Sequence, residues 1–181
     1  MSRFVPLGLG LVAGLGLLVI SSAGPAPDPL SEQPGRHFTW AELTRSETAT
    51  RYGLDNTPSP EAAQALIALC TYLLDPLREG LNQPLQITSG YRSPQVSARI
   101  SGAAKNSQHG LGEAVDFKVL GLSALQVTEK ILSLGLPFDQ LIAYAPSRGG
   151  HVHLSLTLRR PNRQELLWAP GSGGFTALEV A

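Results

Sequence analysis

The chain is poor in the residues from which many metal and disulfide sites are built. Its 181 residues hold one cysteine, Cys70, and four histidines. A single cysteine excludes an internal disulfide framework and any cysteine-cluster metal centre. A metal site here has to be made from histidine and carboxylate ligands. Charge is also sparse: charged residues make up 15%, and Lys+Arg balance Asp+Glu at 14 each. Nucleic-acid binding needs a basic surplus to neutralise phosphates, so no nucleic-acid partner is expected. There is no G-x-S-x-G, no S-x-x-K and no H-E-x-x-H. Their absence removes the serine hydrolase elbow, the serine transpeptidase signature and the common zinc-protease helix. Gly110-Leu111-Gly112 is too little for a dinucleotide loop, and no P-loop is present.

What is there is an apolar share of 43%, which suits a globular domain of ordinary size. Residues 1–23 read as a signal peptide or N-terminal anchor. Arg3 supplies the positive start, Phe4 to Ile20 is uncharged, and Ser21-Ser22-Ala23 offers small residues for cleavage. An export route to the periplasm or wall space follows, and any membrane contact is expected only through an uncleaved N-terminal segment. Residues 24–36, with Pro25, Pro27, Pro29 and Pro34, read as a linker. Residues 37–181 are left as one domain, expected to be a monomer.

Within that domain, Thr39 to Glu42 has capping-box spacing. Ser59-Pro60-Glu61 is a stronger helix start, and Leu66, Leu69, Cys70, Leu73 and Leu77 follow on one face. Cys70 on that stripe is expected to be a buried structural thiol. Pro76 is expected to kink the helix or end it early. Residues 85–88 read as a strand, 94–100 as a short helix and 114–119 as a strand. Ser123 opens a helix that Gly135 stops. Strands at 138–144 and 151–158 follow, then a last hairpin from 164–168 and 175–180. Helices early and strands late predict an α+β domain, with a central antiparallel sheet and flanking helices. Arg159, Arg160 and Arg163 read as a solvated strand end.

Three segments concentrate the chemistry: Ser89 to Ser93, Ser107 to Asp116, and His151-Val152-His153. Residues two apart in a strand share a face, so His151 and His153 point together while Val152, Leu154 and Leu156 point into the core. Asp116 sits inside an apolar strand, where an isolated carboxylate is costly and needs a partner. A metal shared with His109 and His153 would be one; two histidines, a carboxylate and an open position make a catalytic zinc arrangement. On residues alone, His109 could equally be an unliganded loop histidine, and Asp116 could cap a turn or pair with Lys118 or an arginine.

The strings Ser89-Gly-Tyr-Arg-Ser-Pro94, Ser107-Gln-His-x-x-Gly-x-Ala-x-Asp-Phe117, Phe138-Asp-Gln-Leu-Ile142 and His151-Val-His153 resemble the zinc D-Ala-D-Ala carboxypeptidases. That is the peptidase M15 group, which includes phage endolysin-type peptidases. The resemblance runs from about Phe38 to Thr157, with Asp55-Asn56-Thr57-Pro58 in the lead-in. It implies a small α+β domain of the DD-peptidase type and hydrolysis of peptidoglycan peptides at bonds involving D-amino acids. It makes His109, Asp116 and His153 the Zn2+ ligands and Arg92 the arginine that clamps a carboxylate or stabilises the oxyanion. Ser107 and Gln108 become candidate substrate contacts.

One departure stands out. Many relatives carry an acid three residues before the last zinc histidine, where this chain has Gly150. Others have a glutamate after the Phe-Asp-Gln-Leu-Ile strand, where this chain has Ala143-Tyr144. His151 is therefore the candidate catalytic base or oxyanion stabiliser, with Glu113 and Asp139 as fallbacks. The missing acid also supports a rival: a zinc-bearing wall-binding or partner-binding domain with weakened catalysis.

Overall fold

A computed structural model of the chain describes Leu30, residues 32–100 and residues 106–179. The expected signal or anchor segment, and most of the expected linker, lie outside the described residues. So does the end of the last expected strand. Among the described residues no helix is long and apolar enough to cross a membrane.

The first layer is helical. Helix α1 (Trp40–Thr44) opens with the expected reciprocal box between Thr39 and Glu42. Helix α2 (Glu47–Tyr52) is capped by Ser46 and closed by Gly53 in the left-handed region. Helix α3 (Pro60–Leu69) starts at Ser59 with Pro60 in its first turn. Its apolar stripe is buried as expected: Leu66, Leu69, Cys70, Leu73 and Leu77 have no exposed surface. Burial pushes the Cys70 thiol up, which fits an inert packing residue.

Pro76 neither kinks this helix to a stop nor ends it. The chain widens into a π-turn over Cys70–Leu74, where the Asp75 N–H reaches Cys70 O, five residues back. It then continues as α4 (Asp75–Leu81) with Pro76 in the first turn. The shifted register accommodates a ring that lacks an N–H and would collide with the preceding turn. The buried Asp75 carboxylate then accepts from the Arg36 and His37 N–H groups at 2.9 and 3.1 Å. The end of the expected linker is thereby fastened to the domain.

The second layer is a sheet of strands β1 (Leu85–Ser89), β2 (Ala114–Val119), β3 (Gln140–Tyr144), β4 (Val152–Ser155), β5 (Glu165–Ala169) and β6 (Thr176–Ala177). Their spatial order is β1-β2-β4-β3-β5-β6. Between them stand α5 (Pro94–Ser97), shorter than the expected 94–100 helix, and α6 (Ala124–Ser133), with the expected Ser123–Gln126 box. The sheet is antiparallel apart from one pair: β3 and β5 run parallel. After β4 the chain crosses β3 and lands on its far edge, so the expected last hairpin is joined to the sheet through β5. Val115, Phe117, Val152, Leu154 and Leu141 enter one continuous core with the α3–α4 stripe. Side chains that alternate with these point to the other face, and that face carries the chemistry.

The crossover explains the arginines read from sequence as a solvated strand end. They are partners of buried acids. Arg160 and Arg163 reach Asp139, which is wholly buried at the head of β3, at 2.6 and 2.8 Å. Arg159 grips Glu113 through two bonds, of 2.7 and 3.0 Å.

Candidate active site

Strand pairing sets three polar residues abreast. Asp116 is the register partner of His153 on one side and of Ser89 on the other. A register irregularity between Ile87 and Ser89 turns the end of β1 toward this row. His109 arrives from a 3-10 turn, Gln108–Leu111. The imidazoles converge on one carboxylate oxygen: His153 Nδ1 lies 2.8 Å and His109 Nε2 3.4 Å from Asp116 Oδ1. All three side chains can present ligand atoms within 4.8 Å of one another. Atoms bound to one tetrahedral zinc at about 2.1 Å would stand about 3.4 Å apart, so the set is nearly at ligating separation.

The surroundings orient this set. His109 is buried, and its Nδ1 lies 2.8 Å from the Gly90 carbonyl. That carbonyl can only accept, so Nδ1–H donates to it, which fixes the ring with Nε2 toward Asp116. Gly90 is required here because a Cβ would run into the Leu43 carbonyl. Gly112 ends the 3-10 turn with φ +72°, and a Cβ there would strike the Ala62 carbonyl. Burial disfavours charge on Asp116, but His109 and His153 outweigh it and hold its pKa well below the usual carboxylate range.

Arg92 borders the cluster. Its Nε donates to Ser89 Oγ at 2.8 Å and its Nη2 to Asp116 Oδ2 at 3.0 Å. Of the partners open to Asp116 in sequence, an arginine is therefore one, and Lys118 is not. A guanidinium has five N–H groups, so others remain for a substrate oxygen. Asn56 braces the Arg92 loop from both sides: its amide donates to Tyr91 O and accepts from the Ser93 N–H. His151 precedes β4 and stacks on Tyr144, ring centroids 4.1 Å apart. Burial is the main influence lowering its pKa, helped by His153 and opposed by Asp116, so the ring is neutral near pH 7.

A family model described as Peptidase M15 matches residues 36–155. The chain belongs to the peptidase M15 family. The peptidoglycan L,D-endopeptidase MepK of Escherichia coli K12 is 37% identical over 59 residues, 30% of this chain and 32% of that protein. The proteins of the same name from Escherichia coli O157:H7 and Shigella flexneri match to the same extent. The match therefore spans about a third of the length of these relatives.

In this M15 chain the remaining candidates fall into two groups. Ser107 sits at the start of the His109 turn. Gln108 points elsewhere: its amide donates to Asp139 Oδ2 at 3.0 Å. Glu113 is bound by Arg159 and Thr157, and Asp139 by Arg160 and Arg163. Both fallback acids are thus engaged by arginine away from the cluster. Sequence reasoning singled out the Ser89–Ser93 segment but missed the roles of Ser89 and the Gly90 carbonyl. It also missed Tyr144, whose only sequence signal is its place where relatives keep an acid.

Proposed function

We propose that this M15 protein is an exported zinc peptidase that hydrolyses peptidoglycan stem-peptide bonds involving D-amino acids, as a carboxypeptidase or endopeptidase. The observation that carries this reading is the convergence of His109 Nε2 and His153 Nδ1 on Asp116 Oδ1 beside Arg92. A wall peptide as substrate is supported by the family and by the peptidoglycan endopeptidase activity for which the MepK relatives are named.

Two imidazoles and one carboxylate suit Zn2+ and leave a position open, as catalytic zinc sites do. Bound there, zinc would supply Lewis acidity toward the peptide carbonyl and lower the pKa of water. Arg92 is held rigidly by Ser89 and Asp116, so its remaining donors are preorganised for the charge that develops on the carbonyl oxygen. His151 takes the proton-transfer role, since both fallback carboxylates are tied to arginines. Zn2+ is the one cofactor of this reading, and peptidoglycan peptides are its partners. The same engagement of the acids favours the second reading, a wall-binding domain that keeps its metal with weakened catalysis.

Digestion of isolated peptidoglycan separates the two. Release of peptide fragments that stops with a chelator and returns with zinc is the expected result, and fragment masses would name the bond. Zinc-loaded protein that releases nothing would replace the peptidase with the binder. Within the peptidase reading, His151→Ala should keep stoichiometric zinc and lose about 100-fold or more in turnover, the range general acid–base catalysis supplies. Wild-type turnover in that variant would remove His151 from the proton-transfer role.

A further inference from the structure

Beside the metal-competent cluster stands a group of side chains to which the mechanism assigns no task. Tyr144 ends β3 and lies nearly flat on His151, with 17° between the ring planes. Phe175 meets Tyr144 edge-on, centroids 6.1 Å apart. The Arg148 guanidinium carbon is 5.4 Å from the Tyr144 centroid and 5.5 Å from that of Phe175. A run of rings thus leads from His151 through Tyr144 to Phe175 and a cation beside them.

The turn that presents this cation is well defined. Pro146–Arg148 forms a single 3-10 turn, closed by Gly149 at φ +101°. The Arg148 N–H is satisfied by Ala145 O at 2.8 Å, and Ala145 is itself tied to Ala169 in β5. Phe175 comes from the segment just before β6, so two distant parts of the chain meet around one guanidinium.

Arg148 also differs from the other cations near the site. Arg92, Arg159, Arg160 and Arg163 each hold a carboxylate. Among the described residues Arg148 holds none, and its side chain rests on aromatic rings instead. A cation–π contact steadies the charge without spending its N–H donors, which stay available in the fork that matches a carboxylate. Phe175 is half exposed, so the edge of its ring and the guanidinium beside it are open to solvent.

We propose that Arg148, steadied by Tyr144 and Phe175, binds a free carboxylate of the peptide substrate and makes the site selective for acidic stem peptides over amidated ones. The inference rests on the peptidase reading of the same site and adds a specificity residue to it. A stem peptide with lysine in third place offers such a group in two places, the α-carboxylate of its isoglutamyl residue and its C-terminus. One contact is made with one of them, through a bidentate pair with Arg148. Arg92 is already committed to Asp116 and Ser89 and acts closer to the cluster.

The test uses the zinc-loaded full chain and three forms of the tetrapeptide L-Ala-γ-D-Glu-L-Lys-D-Ala. One form is unmodified, one is amidated at the isoglutamyl carboxylate, and one is amidated at the C-terminus. Binding is followed by calorimetry and cleavage by mass spectrometry. One amidation should weaken binding to the wild type by about tenfold to 100-fold, the range of a charge-assisted hydrogen bond. Which amidation does so identifies the carboxylate. Arg148→Gln should bind the unmodified peptide and that amide equally, at the wild-type affinity for the amide. Arg148→Lys should recover part of the preference. Equal wild-type binding of all three forms overturns the proposal, as does a preference that survives Arg148→Gln. Selective binding that depends on Arg148 upholds this subsite whether or not the tetrapeptide is cleaved, and fragment release from whole peptidoglycan decides the peptidase reading separately.

Discussion

His109→Ala and His153→Ala should each lose stoichiometric zinc and, with it, hydrolysis of peptidoglycan. The expectation follows from how few donors the site has. One cysteine, buried in the helical layer, cannot contribute, so among the described residues three side chains from separate segments make the set. Removing one imidazole leaves two protein ligands, below the three that catalytic zinc sites keep. Loss of a mere supporting partner costs roughly 10–100-fold in metal affinity, and loss of a ligand should exceed that. Metal analysis of purified variants, read beside their thermal unfolding, checks it. Each variant should remain folded, because the core of α3, α4 and the sheet lies on the other face. A folded His109→Ala or His153→Ala protein that holds one zinc per chain would overturn the ligand assignment.

The second large effect is on stability. Asp139→Asn should destabilise the domain by about 3 kcal/mol at pH 7, near the low end for breaking a buried pair, since both guanidinium groups reach solvent. Asp139 is wholly buried and accepts from Arg160, Arg163 and Gln108. Burial alone would raise its pKa, but the arginine hydrogen bonds outweigh it and hold the group far below the usual carboxylate range. A depressed folded-state pKa gives stability that is present above the unfolded value, about 3.9, and lost as pH falls through the folded value. The gap between wild type and Asp139→Asn should therefore be full at pH 6–7 and narrow below about pH 4. Urea unfolding at several pH values reads this directly. A gap that stays constant to pH 3 would mean that the carboxylate's charge is not what stabilises the crossover. Because Gln108 precedes His109, the same variant should also loosen the turn that presents the first ligand.

Much of this was legible in the sequence because it is local. Capping boxes at Thr39 and Ser123, Pro60 after Ser59, and the leucine stripe of α3 and α4 each follow from short-range geometry. The candidate site was legible for a related reason: its candidate ligands lie in short strings whose spacing carries the information. What was not legible depends on chain crossing. Nothing in residues 156–164 announces that β5 will land beside β3, so the parallel pair and the duty of Arg159, Arg160 and Arg163 toward buried acids were hidden. Pro76 misled for a different reason. The remedy for its missing N–H is a widened turn two to six residues earlier, and that choice is made by tertiary packing. The roles of Gln108 and Tyr144 likewise depend on partners 31 residues away in one case and on a ring across the β3–β4 turn in the other.

The most direct measurement is anomalous diffraction at the zinc absorption edge from crystals of the purified protein. The account predicts one strong peak per chain, about 2.0–2.2 Å from His109 Nε2, an Asp116 carboxylate oxygen and His153 Nδ1, with Arg92 beside it. A peak held by other residues, or zinc-saturated protein with no peak between these three side chains, would contradict it.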